Sequence, residues 1–195
     1  MPADPFPKFQ AEALRNFLTA IDRHLDRPAT LIVIGGSACA IGYGVGLGTN
    51  DVDTFNSIDD AVQVAIERAR SETFLEIPVS RSPVADVPRE FEERLQPVMQ
   101  ELVHLTVLVP EKHDLALSKT LRCNEHDLDA IEALHRLHPL DQETLVERYM
   151  DELSAAIGDP RRLDQNLVLL VRCLYGEIDA DRVKKRLMAW RASSP

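Results

Sequence analysis

Apolar residues recur every three or four positions through "FQAEALRNFLTAIDRHL" (9–25), setting Leu14, Phe17, Leu18, Ile21 and Leu25 on one face. That spacing predicts an amphipathic helix, and Arg27-Pro28 ends it. "TLIVI" (30–34) is instead continuous and β-branched, the pattern of a buried strand. Gly35-Gly36 then turns the chain, and Ser37 is placed to cap a helix running from Ala38 towards Tyr43. "GYGVGLG" (42–48) reads as a flexible loop. "NDVDTF" (50–55) alternates as a second strand, with Asp51 and Asp53 on one face and Val52 on the other.

The next segment, "SIDDAVQVAIERARS", offers Ser57 as an N-cap, acids in the first turn and an inward stripe of Ile58, Val62, Ala65, Ile66 and Ala69. "TFLEIPV" (73–79) reads as a third strand, residues 81–89 as a proline-rich exposed loop, and "REFEERLQ" (89–96) as a short helix. "LVHLTVLV" (102–109) is a strong strand signal that Pro110 stops, and "EKHDLALSKTLR" (111–122) starts a helix. Beyond it the pattern is helical over 128–137, 142–157, 163–175 and 181–190, with breaks at Pro139 and Gly158-Asp159-Pro160. Strands mixed with helices, then helices alone, predict an α+β fold. It is a small mixed β-sheet with flanking helices over 1–137, followed by a C-terminal helical extension over 138–195.

Charge narrows the partners. The chain of 195 residues carries a formal net charge of −10, which argues against a surface devoted to duplex nucleic acid. From Arg161 onward, however, eight Lys or Arg outnumber four Asp or Glu, so the tail is locally basic. The three cysteines, Cys39, Cys123 and Cys173, show no C-x-x-C spacing and read as reduced, buried thiols of a cytoplasmic protein. The N-terminus has no basic region followed by an apolar run, so no signal peptide is expected. Leu31 to Gly48 is uncharged for eighteen residues, but its six glycines make it a poor membrane helix. No membrane association is expected.

Candidate chemistry begins with Asp51 and Asp53. Two aspartates at i and i+2 on a strand project side by side, and like charges that close favour a shared cation. Hard oxygen ligands with room for water and phosphate suit Mg²⁺. Gly35, Gly36 and Ser37 lie between a strand and a helix, where backbone N–H groups can hold phosphate oxygens. The order Gly-Gly-Ser-Ala-Cys-Ala does not match the G-x-G-x-x-G dinucleotide fingerprint. His126, His135 and His138 lack a matching acid and read as boundary side chains, and Tyr149, Tyr175 and Trp190 read as core.

Gly-Gly-Ser after an apolar strand, followed at a distance by Asp51-Val52-Asp53, resembles the signature of the DNA polymerase β-like nucleotidyltransferase superfamily. "VIGGSACAIGYG…GTNDVDTF" is most similar to the minimal nucleotidyltransferases, the toxins of type IV toxin–antitoxin systems, and nucleotidyltransferase-like domains of unknown function. A second block, "VLVPEKHDLALSKTLRCNEHDLDAIEAL", is similar to a helix of those groups in which a Lys is followed by Arg and then Asp. The resemblance implies that Asp51 and Asp53 bind Mg²⁺, and that Gly35, Gly36, Ser37 and Thr49 contact the nucleotide. It further implies that Lys119 reaches a phosphate, that Asp127 orients Lys119 or contacts the acceptor, and that Arg122, one helical turn beyond Lys119, binds nucleotide or acceptor. Where many members carry an Arg before the Thr, this chain has Gly48, and Glu76 is the one acid expected on a later strand. The implied activity moves a nucleoside monophosphate from a nucleoside triphosphate to a hydroxyl of an RNA 3′ end, a protein side chain or a small molecule. The implied partners are a cognate antitoxin or a second copy of the chain. The alternative is a catalytically degenerate domain serving protein interaction or oligomerisation.

Overall fold

The structure, a computed structural model, describes residues 8–82, 87–153 and 158–193. It divides into two compact units, one formed by residues 1–85 with 94–111 and the other by 86–93 with 112–195. Helices 112–120 and 125–137 therefore cluster with the C-terminal helices.

The first unit holds α1 (Ala11–Arg23), β1 (Ala29–Ile34), α2 (Gly35–Tyr43), β2 (Val52–Thr54), α3 (Asp60–Thr73), β3 (Val79–Arg81), β4 (Gln96–Val98) and β5 (Leu105–Val109). Its mixed sheet runs in the order β3-β2-β1-β5-β4. The β1 strand is parallel to β5 and antiparallel to β2, which is parallel to β3, while β4 closes the far edge antiparallel to β5. Leu14, Phe17, Leu18 and Ile21 of α1 are fully buried, as their spacing predicts, and α1 packs on α3. The uncharged stretch 31–48 is split between β1, α2 and a loop, and no helix among the described residues is long and apolar enough to cross a membrane.

Four local expectations are corrected. Residues 74–78 do not form a strand, because Phe74 ends α3 in a left-handed conformation (φ 57°) and Thr73 Oγ1 accepts from Leu75 N. Pro78 then lacks an N–H to donate, so β3 starts only at Val79 and Glu76 is not on a strand. Of the short helix expected over 89–96, Phe91–Arg94 forms a 3-10 turn, whereas Gln96 opens the edge strand β4, where Pro97 is tolerated. The cap of α3 is Asp59, which accepts from Val62 N at 2.9 Å, and not Ser57. The cysteines are not all buried: Cys39 is, but Cys173 is exposed.

The second unit is helical: α4 (Lys112–Thr120), α5 (Glu125–Leu137), α6 (Gln142–Arg148) running into a π-helical turn (Tyr149–Leu153), α7 (Pro160–Tyr175) and α8 (Glu177–Ser193). The expected helix over 142–157 changes from α to π at this turn, and its last four residues lie outside the described residues. Tyr149 is buried and donates to Asp164 on α7 at 2.7 Å, and Arg191 of α8 binds the same carboxylate. That carboxylate joins the turn, α7 and α8.

In the first unit, Asp22 near the end of α1 has a comparable role. It is only 6% exposed, yet its carboxylate accepts from three consecutive backbone N–H groups, Val103, His104 and Leu105, at 2.7–3.1 Å. Those donors belong to the entry into β5, so a helix end and a central strand share one anion. Burial alone would push its carboxyl up; the three N–H donors and His104 outweigh that and leave it below the usual carboxylate value. An Asp22→Asn variant is expected to lose about 2–3 kcal/mol at neutral pH, read from the urea midpoint, since charge-assisted bonds are replaced by weaker ones. Because the folded pKa is depressed, the carboxylate's contribution is complete above its unfolded value near about 4 and is lost as pH falls through the folded value. Wild type and variant should therefore converge in stability below about pH 4.

Candidate functional site

The β1–α2 junction builds the first cluster. Ile34 ends β1 and is itself the N-cap of α2, so no residue separates strand from helix. Gly35 makes this turn at φ 69°, a left-handed value that a side chain resists. The helix thus starts three residues earlier than Ser37-capping predicts. Ser37 lies inside the first turn, 1% exposed, and its hydroxyl donates to Ile34 O at 3.0 Å. The groups available at the helix start are consequently backbone N–H groups, with the positive end of the helix dipole behind them.

Register brings the aspartates to this start. In the β1/β2 ladder Ile34 pairs with Asp53 and Val33 with Thr54. A β-carbon built on Gly35 would sit 3.7 Å from Asp53 Oδ2, so the carboxylate lies against the glycine. Val52 is fully buried, whereas Asp51 and Asp53 are both half-buried, the alternation expected of the strand. Thr49 completes the cluster: its hydroxyl lies within 3.3 Å of Asp51 O and 3.4 Å of Asp51 Oδ1. A β-carbon on Gly36 would meet Thr49 Oγ1 at 3.0 Å and Cβ at 3.3 Å, closer than ordinary packing allows. Gly35, Gly36, Thr49, Asp51 and Asp53 are therefore one cluster at the start of α2. The loop leading to it is tied down, because Val45 is 2% exposed and its N–H bonds Cys39 O.

The donor set is oxygen-only: two carboxylates and a hydroxyl. Among the described residues no group of three or more His, Cys, Asp and Glu is arranged to hold a metal. Mg²⁺ is commonly held by one or two carboxylates, keeping waters and substrate phosphates as its other ligands. Asp51 and Asp53 beside bare helix N–H groups fit that requirement, and they do not fit a closed structural zinc site.

Lys119, Asp127 and Arg122 are assembled in the second unit. Lys119, 4% exposed, places Nζ 3.3 Å from Asp127 Oδ1, and Asp127 is 1% exposed. Arg122 lies in the turn beyond the end of α4 and not on the helix; its Nη2 nevertheless reaches the same Oδ1 at 3.1 Å while its side chain stays 69% exposed. Asp127 sits in the first turn of α5, where the N-cap Asn124 accepts from its N–H at 2.8 Å. Its other oxygen, Oδ2, is buried with no hydrogen-bond partner among the described residues. Asn166 of α7 donates to Thr120 O and Leu121 O and so closes the end of α4.

Asp114 in the first turn of α4 is a further acid of this helix that sequence analysis did not single out. It is fully buried and pairs with Arg148 at 2.9 Å. The signal was weak: only the apolar residues that follow Asp114 mark that side of α4 as internal. His135 does not stand apart as a ligand either. Its Nδ1 accepts from Leu140 N at 3.1 Å, and burial, then Lys112, hold its pKa below the ordinary histidine value.

Removing one member of the Lys119–Asp127 pair should be costlier than removing both. Asp127→Ala is expected to lose about 3 kcal/mol by leaving a buried ammonium without its carboxylate. The Lys119→Met/Asp127→Leu double variant should lose less than Asp127→Ala alone, as a urea-denaturation double-mutant cycle would measure.

No curated protein and no solved structure shows a significant match to the chain. Residues 11–180, which span both units, match the family described as "nucleotidyltransferase of unknown function (DUF6036)". With most of its length matched, from α1 into α8, the chain belongs to this nucleotidyltransferase family of unknown function.

Proposed function

We propose that the protein transfers a nucleoside monophosphate from a nucleoside triphosphate to a hydroxyl acceptor in a Mg²⁺-dependent reaction. The observation that carries the proposal is the convergence of Asp51, Asp53 and Thr49 on the glycine-only start of α2. In this reading the N–H groups of the first turn of α2 hold the β and γ phosphates, and Gly35 and Gly36 let those oxygens approach the backbone. Asp51 and Asp53 hold the metal, and Thr49 fixes the rotamer of Asp51. When bound, Mg²⁺ supplies charge neutralisation on the phosphates and polarises the acceptor hydroxyl. In the second unit, Lys119 beside Asp127 and the exposed Arg122 are the cations that the family resemblance gives to phosphate and to nucleotide or acceptor. The acceptor is an RNA 3′ end, a protein side chain or a small molecule. The resemblance to type IV toxins extends the proposal to a toxin–antitoxin setting in the cytoplasm, with a cognate antitoxin or a second copy as partner.

One observation favours the rival reading, a non-catalytic interaction domain: the Ser37 hydroxyl is turned inward and committed to Ile34 O. A thermal-shift assay separates the two. A working site gains stability as RT ln(1 + [L]/Kd), about 2.7 kcal/mol at one hundred times Kd. Wild type should gain this with Mg²⁺ and at least one of the four nucleoside triphosphates, and Asp51→Asn/Asp53→Asn should not. Labelled-nucleotide incorporation into cell extract should likewise vanish in the double variant; equal incorporation would refute the assignment.

Gly36 gives a second test. Gly36→Ala forces its new methyl against Thr49 and should cost about 1–3 kcal/mol in the urea midpoint, together with the nucleotide-induced shift. Combining it with Thr49→Ala removes the nearer obstructing atom and should recover part of the stability.

A further inference from the structure

The basic tail folds into α7 and α8, which pack along each other, and Arg191 near the end of α8 reaches back to Asp164 near the start of α7. Residues of both helices line a groove of about 270 Å³. At its base are Val168 and Leu187, both buried, and beside them Met188 stands 65% exposed. Methionine is a flexible, polarisable side chain that adapts to apolar partners, so the groove presents apolar surface with some give.

Three cations line the same groove. Arg161 and Arg172 lie at its two ends on α7, about 16 Å apart along the helix axis, and Lys184 enters from α8 one turn before Met188. Arg172 is engaged by Glu177 at 2.9 Å, whereas the exposed Arg161 and Lys184 have no ion pair among the described residues. Asp164 is the acid among the described lining residues, and it is already neutralised. Arg191 takes both of its carboxylate oxygens, and Tyr149 donates to one of them. An anionic group entering the groove therefore meets positive charge that nothing within it offsets.

Shape and chemistry together select the occupant. The groove is smaller than the roughly 300–1,000 Å³ that a drug-sized ligand fills, so it suits side chains of a larger partner. No aromatic ring is among the described lining residues, which leaves a single-stranded nucleic acid without a stacking platform. An apolar base between cations is complementary to a helix that carries apolar residues one turn apart with carboxylates beside them. We propose that the α7–α8 groove docks an acidic amphipathic helix of a partner protein. Its apolar anchors rest on Val168, Leu187 and Met188, and its carboxylates pair with Arg161 and Lys184. The inference goes beyond the nucleotidyltransferase reading and does not depend on it.

The test is fluorescence anisotropy of the full chain with a panel of labelled helical peptides of roughly four turns. Each carries Leu, Ile, Met or Phe at positions i, i+4 and i+7 with Glu beside them, and a matched set carries Gln in place of Glu. Labelled oligouridylate is the nucleic-acid probe, and light scattering reports self-association. At least one Glu peptide should bind, more weakly as salt is raised, and its Gln counterpart should bind about tenfold more weakly. Arg161→Glu/Lys184→Glu should weaken the Glu peptide by tenfold or more, and Met188→Asp should weaken both sets. These side chains are exposed, so the urea midpoint of each variant should stay at the wild-type value. The inference is overturned if no Glu peptide binds, or if the charge-reversed protein binds it as well as wild type does. Tighter binding of oligouridylate than of any peptide would make the groove a nucleic-acid site and overturn it too. Self-association abolished by the charge reversal would make the occupant a second copy of the chain, with the same consequence.

Discussion

The antiparallel register that sets Ile34 opposite Asp53 decides what the start of α2 faces. Side chains alternate along a strand, so a slip of one residue would turn Asp51 and Asp53 into the core and bring Val52 out. Fully buried Val52 and Thr54 on the inward side hold the register in place. The same pairing sets a carboxylate beside the positive end of a helix dipole. Adding phosphate there requires more positive charge than the helix supplies, which is why oxygen ligands and phosphate-binding N–H groups at one helix end suit a metal.

Three aspartate environments separate structure from chemistry. Asp22 is buried and completely occupied by backbone donors, so it holds α1 to the entry of β5 and has nothing to offer a ligand. Asp53 is half-exposed at a helix start, where water and ligands reach it. Asp127 is between these: one oxygen takes two cations and the other is buried without a partner among the described residues. A buried acceptor left open costs free energy, so the local fold alone does not account for that atom. Residue type does not distinguish these three carboxylates; the donors around each of them do.

What the sequence made legible follows the strength of local signals. The stripe of α1 and the apolar run of β1 were read correctly because periodicity and burial agree there. The glycine turn and the paired aspartates were visible as spacing, but their convergence depends on β1 pairing with β2, a non-local fact. β4 was missed because Pro97 and its charged neighbours speak against a strand, and only an edge position tolerates them. Ser37 was misread as a cap because serine before an apolar run usually is one. Here Gly35 lets the helix begin earlier, which converts the same hydroxyl into an internal bond.

Gly36 shows why a matched signature and a working site are separate claims. Its glycine is explained fully by Thr49, whose hydroxyl would lie 3.0 Å from any β-carbon at that position. A phosphate approaching the backbone would demand the same residue for a different reason. Packing keeps the glycine even in a chain that binds no nucleotide, so its presence is weak support for catalysis. Asp53 differs in this respect. What it brings to the start of α2 is a charge, with Oδ2 3.7 Å from where a β-carbon of Gly35 would sit. A carboxylate beside the helix start, and not the glycine pair, is therefore where the chemical argument has its weight.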